Sequence, residues 1–276
     1  MSQFTTEDGC RIVYDVQGEG EPILFVHGWA CNRSFFRFQV PELSKNYQVV
    51  TFDLRGHGES DTGYVTERHM TIARFAQDVH ELIEHLGLEG VNLCGWSMGG
   101  LIVMEYQRQF GSDHLKTAAI IDMGPKHLAD DEWKLGQGYT QGVAEHMKFS
   151  SLCADDWSKA AAMFGPGLFA KGTDLSGELP TWVAAQTANN MPHCMLASMI
   201  SIADSDYRED LKTYDIPVFL AFSGDGFLYG PYHAQYMAER IPNATVDIFP
   251  GCGHALFMES PDKFNADYAA FIEANK

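Results

Sequence analysis

Val91-Asn-Leu-Cys-Gly-Trp-Ser-Met-Gly-Gly-Leu-Ile-Val-Met104 is the stretch whose reading decides the fold. Its apolar start, Val91 to Cys94, predicts a short buried strand. The run breaks at Gly95-Trp96-Ser97-Met98-Gly99, and an apolar helical pattern follows at once. That is the strand–turn–helix context a Gly-x-Ser-x-Gly nucleophile requires. Side chains at Gly95 and Gly99 would collide with neighbouring backbone in so tight a turn, so both positions call for glycine. The turn lifts the Ser97 hydroxyl out of the sheet, and the helix beneath aims its free N–H groups at the same point. A glycine-rich turn that happens to hold a serine would read the same over five residues. The rest of the chain has to decide.

Working outward, strands and helices alternate. Arg11–Val16, Pro22–His27, Gln48–Phe52, Ala118–Ile121, Pro217–Phe222 and Ala244–Phe249 read as strands. Ser34–Leu43, Thr71–Leu86, the helix after Ser97 to about Phe110, Pro231–Ile241 and Ser260–Ala274 read as helices. Continuous apolar runs such as Pro22–Val26 belong to strands buried on both faces. The expected class is therefore α/β, a mostly parallel, doubly wound sheet.

Residues 126–212 interrupt the alternation with short helical patterns, among them Asp130-Asp-Glu-Trp133, Asp155 to Phe164 and Pro192 to Ala203. Met191, Met195 and Met199 recur at a spacing that places them on one helix face. A core domain over 1–125 and 213–276 is expected, with a helical cap over 126–212. The cap would stand over the carboxyl ends of the strands, where open α/β sheets bind ligands.

Composition removes several classes of function. Hydrophobic content of 45% and charged content of 20% fit a globular protein. A formal charge of −18 repels nucleic acid and anionic membrane. It does not by itself call for a cationic substrate, since a solvated acidic surface explains it. No run approaches the roughly 20 apolar residues of a membrane span. The start, Met1-Ser-Gln-Phe-Thr-Thr-Glu-Asp-Gly, has neither the basic flank nor the apolar run of a secretory signal. The six cysteines (Cys10, Cys31, Cys94, Cys153, Cys194, Cys252) are scattered without disulfide or zinc spacing, so a reducing cytoplasm is expected. No metal-ligand cluster stands out. Gly95-x-x-x-Gly99-Gly lacks the lysine of a phosphate loop, so no cofactor is expected.

His27-Gly28-Trp29, Asp53-Leu-Arg-Gly-His-Gly-Glu-Ser60, Gly95-Trp-Ser-Met-Gly99 and Gly251-Cys-Gly-His254 each stand at a strand end. In that order they resemble the α/β-hydrolase fold family, over nearly the whole chain outside residues 126–212. The resemblance lies with serine esterases of the arylesterase and non-heme chloroperoxidase branch. It implies Ser97 as nucleophile and His254 as the base that takes its proton. It also implies an oxyanion hole from the backbone N–H groups of Met98 and Trp29.

The acid departs from the family's usual place. After the penultimate strand, the matching position counted from Gly224 is Phe227, which cannot orient an imidazole. Asp225 lies near but early in the turn. The family's other location, the end of the strand after the nucleophile helix, holds Asp122. The run Asp122-Met-Gly-Pro-Lys126 followed by Asp130-Asp-Glu-Trp133 resembles that branch, so Asp122 is the expected acid and Asp225 the alternative. Asp53, Arg55 and His57 are expected to shape the site floor, His27 to buttress the oxyanion loop and Cys252 to pack.

What this implies is a cofactor-free serine hydrolase acting on small-molecule carboxylic esters. Phe149, Trp157, Met163, Phe164, Trp182 and Met195 of the cap suggest an apolar acyl or aryl pocket. Carbon–carbon bond hydrolysis, lactone opening, thioester cleavage and perhydrolysis use the same three residues. A non-catalytic ligand-binding protein on the same fold is the alternative of a different class. Oligomeric state is left open.

Overall fold

Every residue of β3 (Pro22–Val26) and β5 (Val91–Trp96) is buried, the mark of strands covered on both faces. The computed structural model describes residues 1–62, 69–137 and 142–276. Among these, β1 (Ser2–Thr5), β2 (Arg11–Gln17), β4 (Gln48–Phe52), β6 (Leu115–Ile121), β7 (Val218–Ser223) and β8 (Ala244–Phe249) complete one sheet. Its order is β1-β2-β4-β3-β5-β6-β7-β8. The pairs β1–β2 and β2–β4 are antiparallel, and every pair from β4 onward is parallel. The sheet is the mostly parallel α/β sheet expected from the sequence.

The helices are α1 (Val40–Leu43), α2 (Ile72–Leu86), α3 (Met98–Phe110), α4 (Val143–Asp155), α5 (Trp157–Phe164), α6 (Glu178–Ala188), α7 (Pro192–Ala203), α8 (Pro231–Ala238), α9 (Leu256–Glu259) and α10 (Pro261–Ala274). Strand residues alternate between two cores. Leu24, Val26 and Leu93 pack with α2, α3 and α8, while Ile23, Phe25 and Cys94 pack with α9 and α10. All six cysteines are buried and free. No helix among the described residues is long and apolar enough to cross a membrane.

Strand order reverses at β3. The chain goes from β3 to β4 on one side and returns through α2 to β5 on the other. Such a switch point opens a crevice at the carboxyl ends of the strands. Gly28-Trp29 after β3 and Ser97 after β5 both stand there, with Val26 paired to Gly95.

Three elements differ from expectation. The helix expected over Ser34–Leu43 is a 3-10 turn at Arg33–Phe36, then α1. Adjacent Phe35 and Phe36 are both buried, and Pro41 starts the second element. Asp130 to Trp133 is a turn, because Asp130 Oδ1 accepts the N–H groups of Glu132 and Trp133 at 2.9 and 2.7 Å. The edge strand β1 carries a single buried residue, Phe4, too little pattern for a strand signal.

Between β6 and β7 the chain forms α4 to α7. Trp29 anchors them to the sheet. Its indole lies edge-on to Phe149, Trp157 and Phe164 at 5.8, 5.5 and 4.9 Å, and its Nε1–H donates to the Met195 carbonyl at 3.0 Å. Pairs of this kind contribute about 0.5–1.5 kcal/mol each beyond area burial.

Candidate active site

Ser97 sits between β5 and α3 with φ 55° and ψ −122°, a backbone conformation that a residue with a side chain rarely adopts. Its N–H donates to the Ile121 carbonyl at 3.0 Å, and its carbonyl accepts from Gly100 at 2.7 Å. The glycines around it are obligatory. A Cβ on Gly95 would run into the Gly99 carbonyl, and one on Gly99 into the Val26 carbonyl. Met98 opens α3, so its N–H is one of the donors a helix leaves unpaired within itself.

Asp122 follows β6 and has φ 46°. Oδ2 of this buried carboxylate lies 2.7 Å from Nδ1 of His254, also buried. Oδ1 accepts the Ser223 N–H at 2.8 Å, and the Ser223 hydroxyl lies 2.9 Å away. Each carboxylate oxygen therefore has a partner, as burial of a charge requires.

The His254 loop is held from two sides. Trp96, the residue before Ser97, donates its indole N–H to the His254 carbonyl at 2.9 Å. Glu259 accepts from the N–H groups of Gly253 and Ala170 at 2.6 and 2.9 Å, and Ala255 N–H donates to Leu168 at 2.7 Å. Ser97 and Asp122 follow the paired strands β5 and β6, and the loop after β8 brings His254 onto Asp122. With Nδ1 turned to Asp122, Nε2 is the ring nitrogen left for a hydroxyl.

Asp225 is elsewhere. It is exposed, and its Oδ2 accepts the Gly251 N–H at 2.7 Å, bracing the turn before His254 without touching the ring.

Asp53, Arg55 and His57 face different partners. Asp53 binds the Arg33 guanidinium and accepts the backbone N–H groups of Arg33 and Glu59, both at 2.8 Å. Arg55 forks onto Asp78 at 2.6 Å and Asp8 at 2.8 and 2.9 Å. The ring of His57 meets the Arg55 carbonyl at 3.0 Å. His27 bridges two loops, with Nε2 accepting the Leu54 N–H at 3.0 Å and Nδ1 lying 2.8 Å from the Gly28 carbonyl. These bonds fix the tautomer with the proton on Nδ1. Burial depresses the His27 pKa to about 4, so the ring is a neutral strut at neutral pH. Cys252 is buried, and burial raises its thiol pKa.

Ser97, Met98 and Trp29 share a cavity of about 30 Å³ with Met123, His127, Phe164, Met199, Ile202, Leu228 and Tyr229. Of the cap residues expected to line a pocket, Phe164 does so. Phe149 and Trp157 pack on Trp29. Trp182 packs on Phe35 and under Arg37, and Met163 is exposed at the protein surface. In the methionine stripe, Met199 lines the cavity, Met195 is buried and Met191 is exposed. Met191 stands just before α7, in extended backbone, so only Met195 and Met199 share the helix face. A larger groove of about 470 Å³ runs past Asp15, Arg33 and Asp53, whose charges already match one another.

Tyr229, His127 and Ser223 were not legible as site residues. Tyr229 lies ring to ring with His254 at 5.8 Å, and its hydroxyl lies 3.0 Å from His127 Nδ1. The partners are far apart in sequence, and no motif marks them.

A family model described as alpha/beta hydrolase fold matches residues 21–261. A non-heme chloroperoxidase of Kitasatospora aureofaciens is 30% identical, over 99% of this chain and 99% of that protein. A bromoperoxidase of Bacillus anthracis superposes with a TM-score of 0.89 at 26% identity, covering 99% of this chain and 100% of that one. An esterase of Exiguobacterium antarcticum superposes with a TM-score of 0.90 at 24% identity over 99% of each chain, a likeness of fold.

Proposed function

The chain belongs to the α/β-hydrolase fold family, in its esterase and chloroperoxidase-like branch, and we propose that it is a serine hydrolase cleaving small-molecule carboxylic esters through an acyl-enzyme. The observation that carries this is the 2.7 Å approach of Asp122 Oδ2 to His254 Nδ1 beside the Ser97 turn. A buried carboxylate on Nδ1 fixes the tautomer whose Nε2 can accept a proton.

Ser97 Oγ attacks the ester carbonyl carbon as its proton passes to His254 Nε2. The carbonyl oxygen becomes an oxyanion between the N–H groups of Met98 and Trp29. Collapse expels the alcohol, which takes the proton from His254. A water then repeats the sequence on the acyl-enzyme and frees the acid. Asp122 stabilises the imidazolium formed in each half. Helices α4 to α7 act as a cap, joined to the oxyanion loop through Trp29. The apolar cavity wall favours apolar acyl or aryl groups.

A second reading comes from the 30% identical chloroperoxidase. Hydrogen peroxide attacking the acyl-enzyme in place of water would release a peracid and regenerate Ser97.

A fluorophosphonate probe with p-nitrophenyl esters of graded acyl length tests the proposal. Labelling at Ser97 and hydrolysis of the shorter esters are expected. A folded protein that binds a small ligand tightly, takes no label and turns over no ester is a binding protein instead.

A further inference from the structure

His127 lines the Ser97 cavity and carries an unspent hydrogen-bonding atom. It is 3% exposed, and among the described residues its Nε2 has no partner. Its Nδ1 meets the Tyr229 hydroxyl at 3.0 Å. Two proton arrangements are open to this pair. If Nδ1 carries the proton, the buried Tyr229 O–H and the Nε2 lone pair both lack partners. If Tyr229 donates to Nδ1, only one group is left over, an Nε2–H donor. The second arrangement strands fewer buried polar groups and is preferred. Burial also holds the ring neutral, with its pKa pushed down to about 3.

The surroundings make this donor conspicuous. Met199, Ile202, Leu228 and Phe164 make much of the cavity wall apolar, and its polar lining is Ser97, His127, Gln137 and Tyr229. A buried donor left without an acceptor costs about 1–3 kcal/mol. Gln137, whose N–H donates to the His127 carbonyl at 2.8 Å, lines the cavity beside it. Behind His127 stands His146, its ring 5.5 Å away and 5% exposed, with both nitrogens unpartnered among the described residues. Polar atoms are therefore placed through the wall from the cavity to the outer groove that His146 lines.

We infer that His127 is a specificity-determining residue whose Nε2–H binds an uncharged oxygen of the substrate (hydroxyl, keto or ether) set away from the scissile ester. The inference rests on the ester-hydrolase reading. A carboxylate is the wrong occupant. Lys126, next in sequence, is turned to Asp130 and Asp206, and an anion buried here without a cation would be costly. A substrate offering a hydrocarbon at this point leaves the donor stranded, which is how a site rejects an analogue lacking an oxygen.

The test uses matched esters. One series of p-nitrophenyl esters carries an ether oxygen walked along the acyl chain, each against its methylene isostere. A second series of acetates walks the oxygen along the alcohol, so the two arms tell which half of the substrate reaches His127. The readout is the ratio of kcat/KM, oxygen over methylene, within one protein. At one position of the oxygen the wild type should prefer it about tenfold, the worth of one neutral hydrogen bond. His127→Phe should bring that ratio to about one, and His127→Gln, which can return a donor near the Nε2 position, should restore part of it. A ratio near one at every position in the wild type overturns the inference, as would an ordered water permanently filling the donor. So does a preference that His127→Phe leaves intact. Calorimetric binding of the same pairs to the Ser97→Ala protein gives a readout without turnover. If no ester is hydrolysed yet Ser97→Ala prefers the oxygen through His127, the subsite stands and the ester reading falls.

Discussion

Ser223 offers its backbone N–H and its hydroxyl to the same oxygen, Oδ1 of Asp122, at 2.8 and 2.9 Å. The hydroxyl also lies 3.1 Å from the Tyr229 carbonyl, but an ionised carboxylate is the stronger acceptor. Asp122 is thereby turned so that Oδ2 faces His254. Ser223→Ala removes one of two donors and keeps the backbone one. Its kcat should fall about ten- to hundredfold, since a hydrogen bond to a charged group contributes about 1.5–3 kcal/mol. Steady-state kinetics on protein with an unchanged circular dichroism spectrum checks it.

The two candidate acids separate by direct substitution. Asp122→Asn should lower kcat by about 10³ to 10⁴, because an amide cannot hold the imidazole in the required tautomer. Asp225→Asn weakens only the bond to the Gly251 N–H and should keep kcat within about threefold, as expected for a surface change. Near-wild-type turnover by the Asp122 variant would sink the assignment.

Gly28 is a lever on geometry. A Cβ there would meet the Ser97 Cβ at 3.1 Å and the Trp96 ring at 3.2 Å. Gly28→Ala should fold, with a stability loss of about 1–3 kcal/mol from overpacking. Displacement of Ser97 by even about 1 Å should cost about 100-fold in kcat. An alanine variant as active as the parent would show that the loop yields in place of Ser97.

Acid should unfold the protein early. Burial holds His27 at about 4 and His57 and His127 at about 3, whereas an unfolded imidazole protonates near 6.5. Their contribution to stability is full above about pH 6.5 and is lost as pH falls through 6.5 toward 4 and then 3. At pH 5.5 unfolding should take up about three protons, a slope of about 4 kcal/mol per pH unit. Urea titrations at pH 7, 6 and 5 read the slope, and a flat profile across that range would refute it.

Legibility in the sequence followed local density of signal. The core strands carried it in continuous apolar runs, and the Ser97 turn in five residues whose glycines have steric reasons. The Asp122–His254 pairing was anticipated from a family likeness, and its 2.7 Å contact spans 132 residues that no local pattern connects. Ser223, Tyr229 and His127 stayed hidden because each acts through long-range contacts, Ser223 on Asp122 and Tyr229 on His127 and His254, that no local pattern announces. The Ser34–Leu43 misreading came from treating two adjacent buried phenylalanines as one helix face. Met163 was expected at the pocket on residue type alone, and only the packing of α5 against Trp29 decides which side of that helix faces solvent.

The φ of 55° at Ser97 also bears on how such a protein changes over generations. Holding a side-chain-bearing residue there costs about 1–3 kcal/mol, out of a total stability of only about 5–15 kcal/mol. Glycine at position 97 would release that strain and discard the nucleophile in one step, so Ser97→Gly should melt at a higher temperature than the parent while hydrolysing nothing. Serine at this position is thus held against a standing thermodynamic incline. If the proposed role of Ser97 holds, one substitution would leave a sturdier fold that still encloses the cavity and its histidine, a binding protein one step from an esterase.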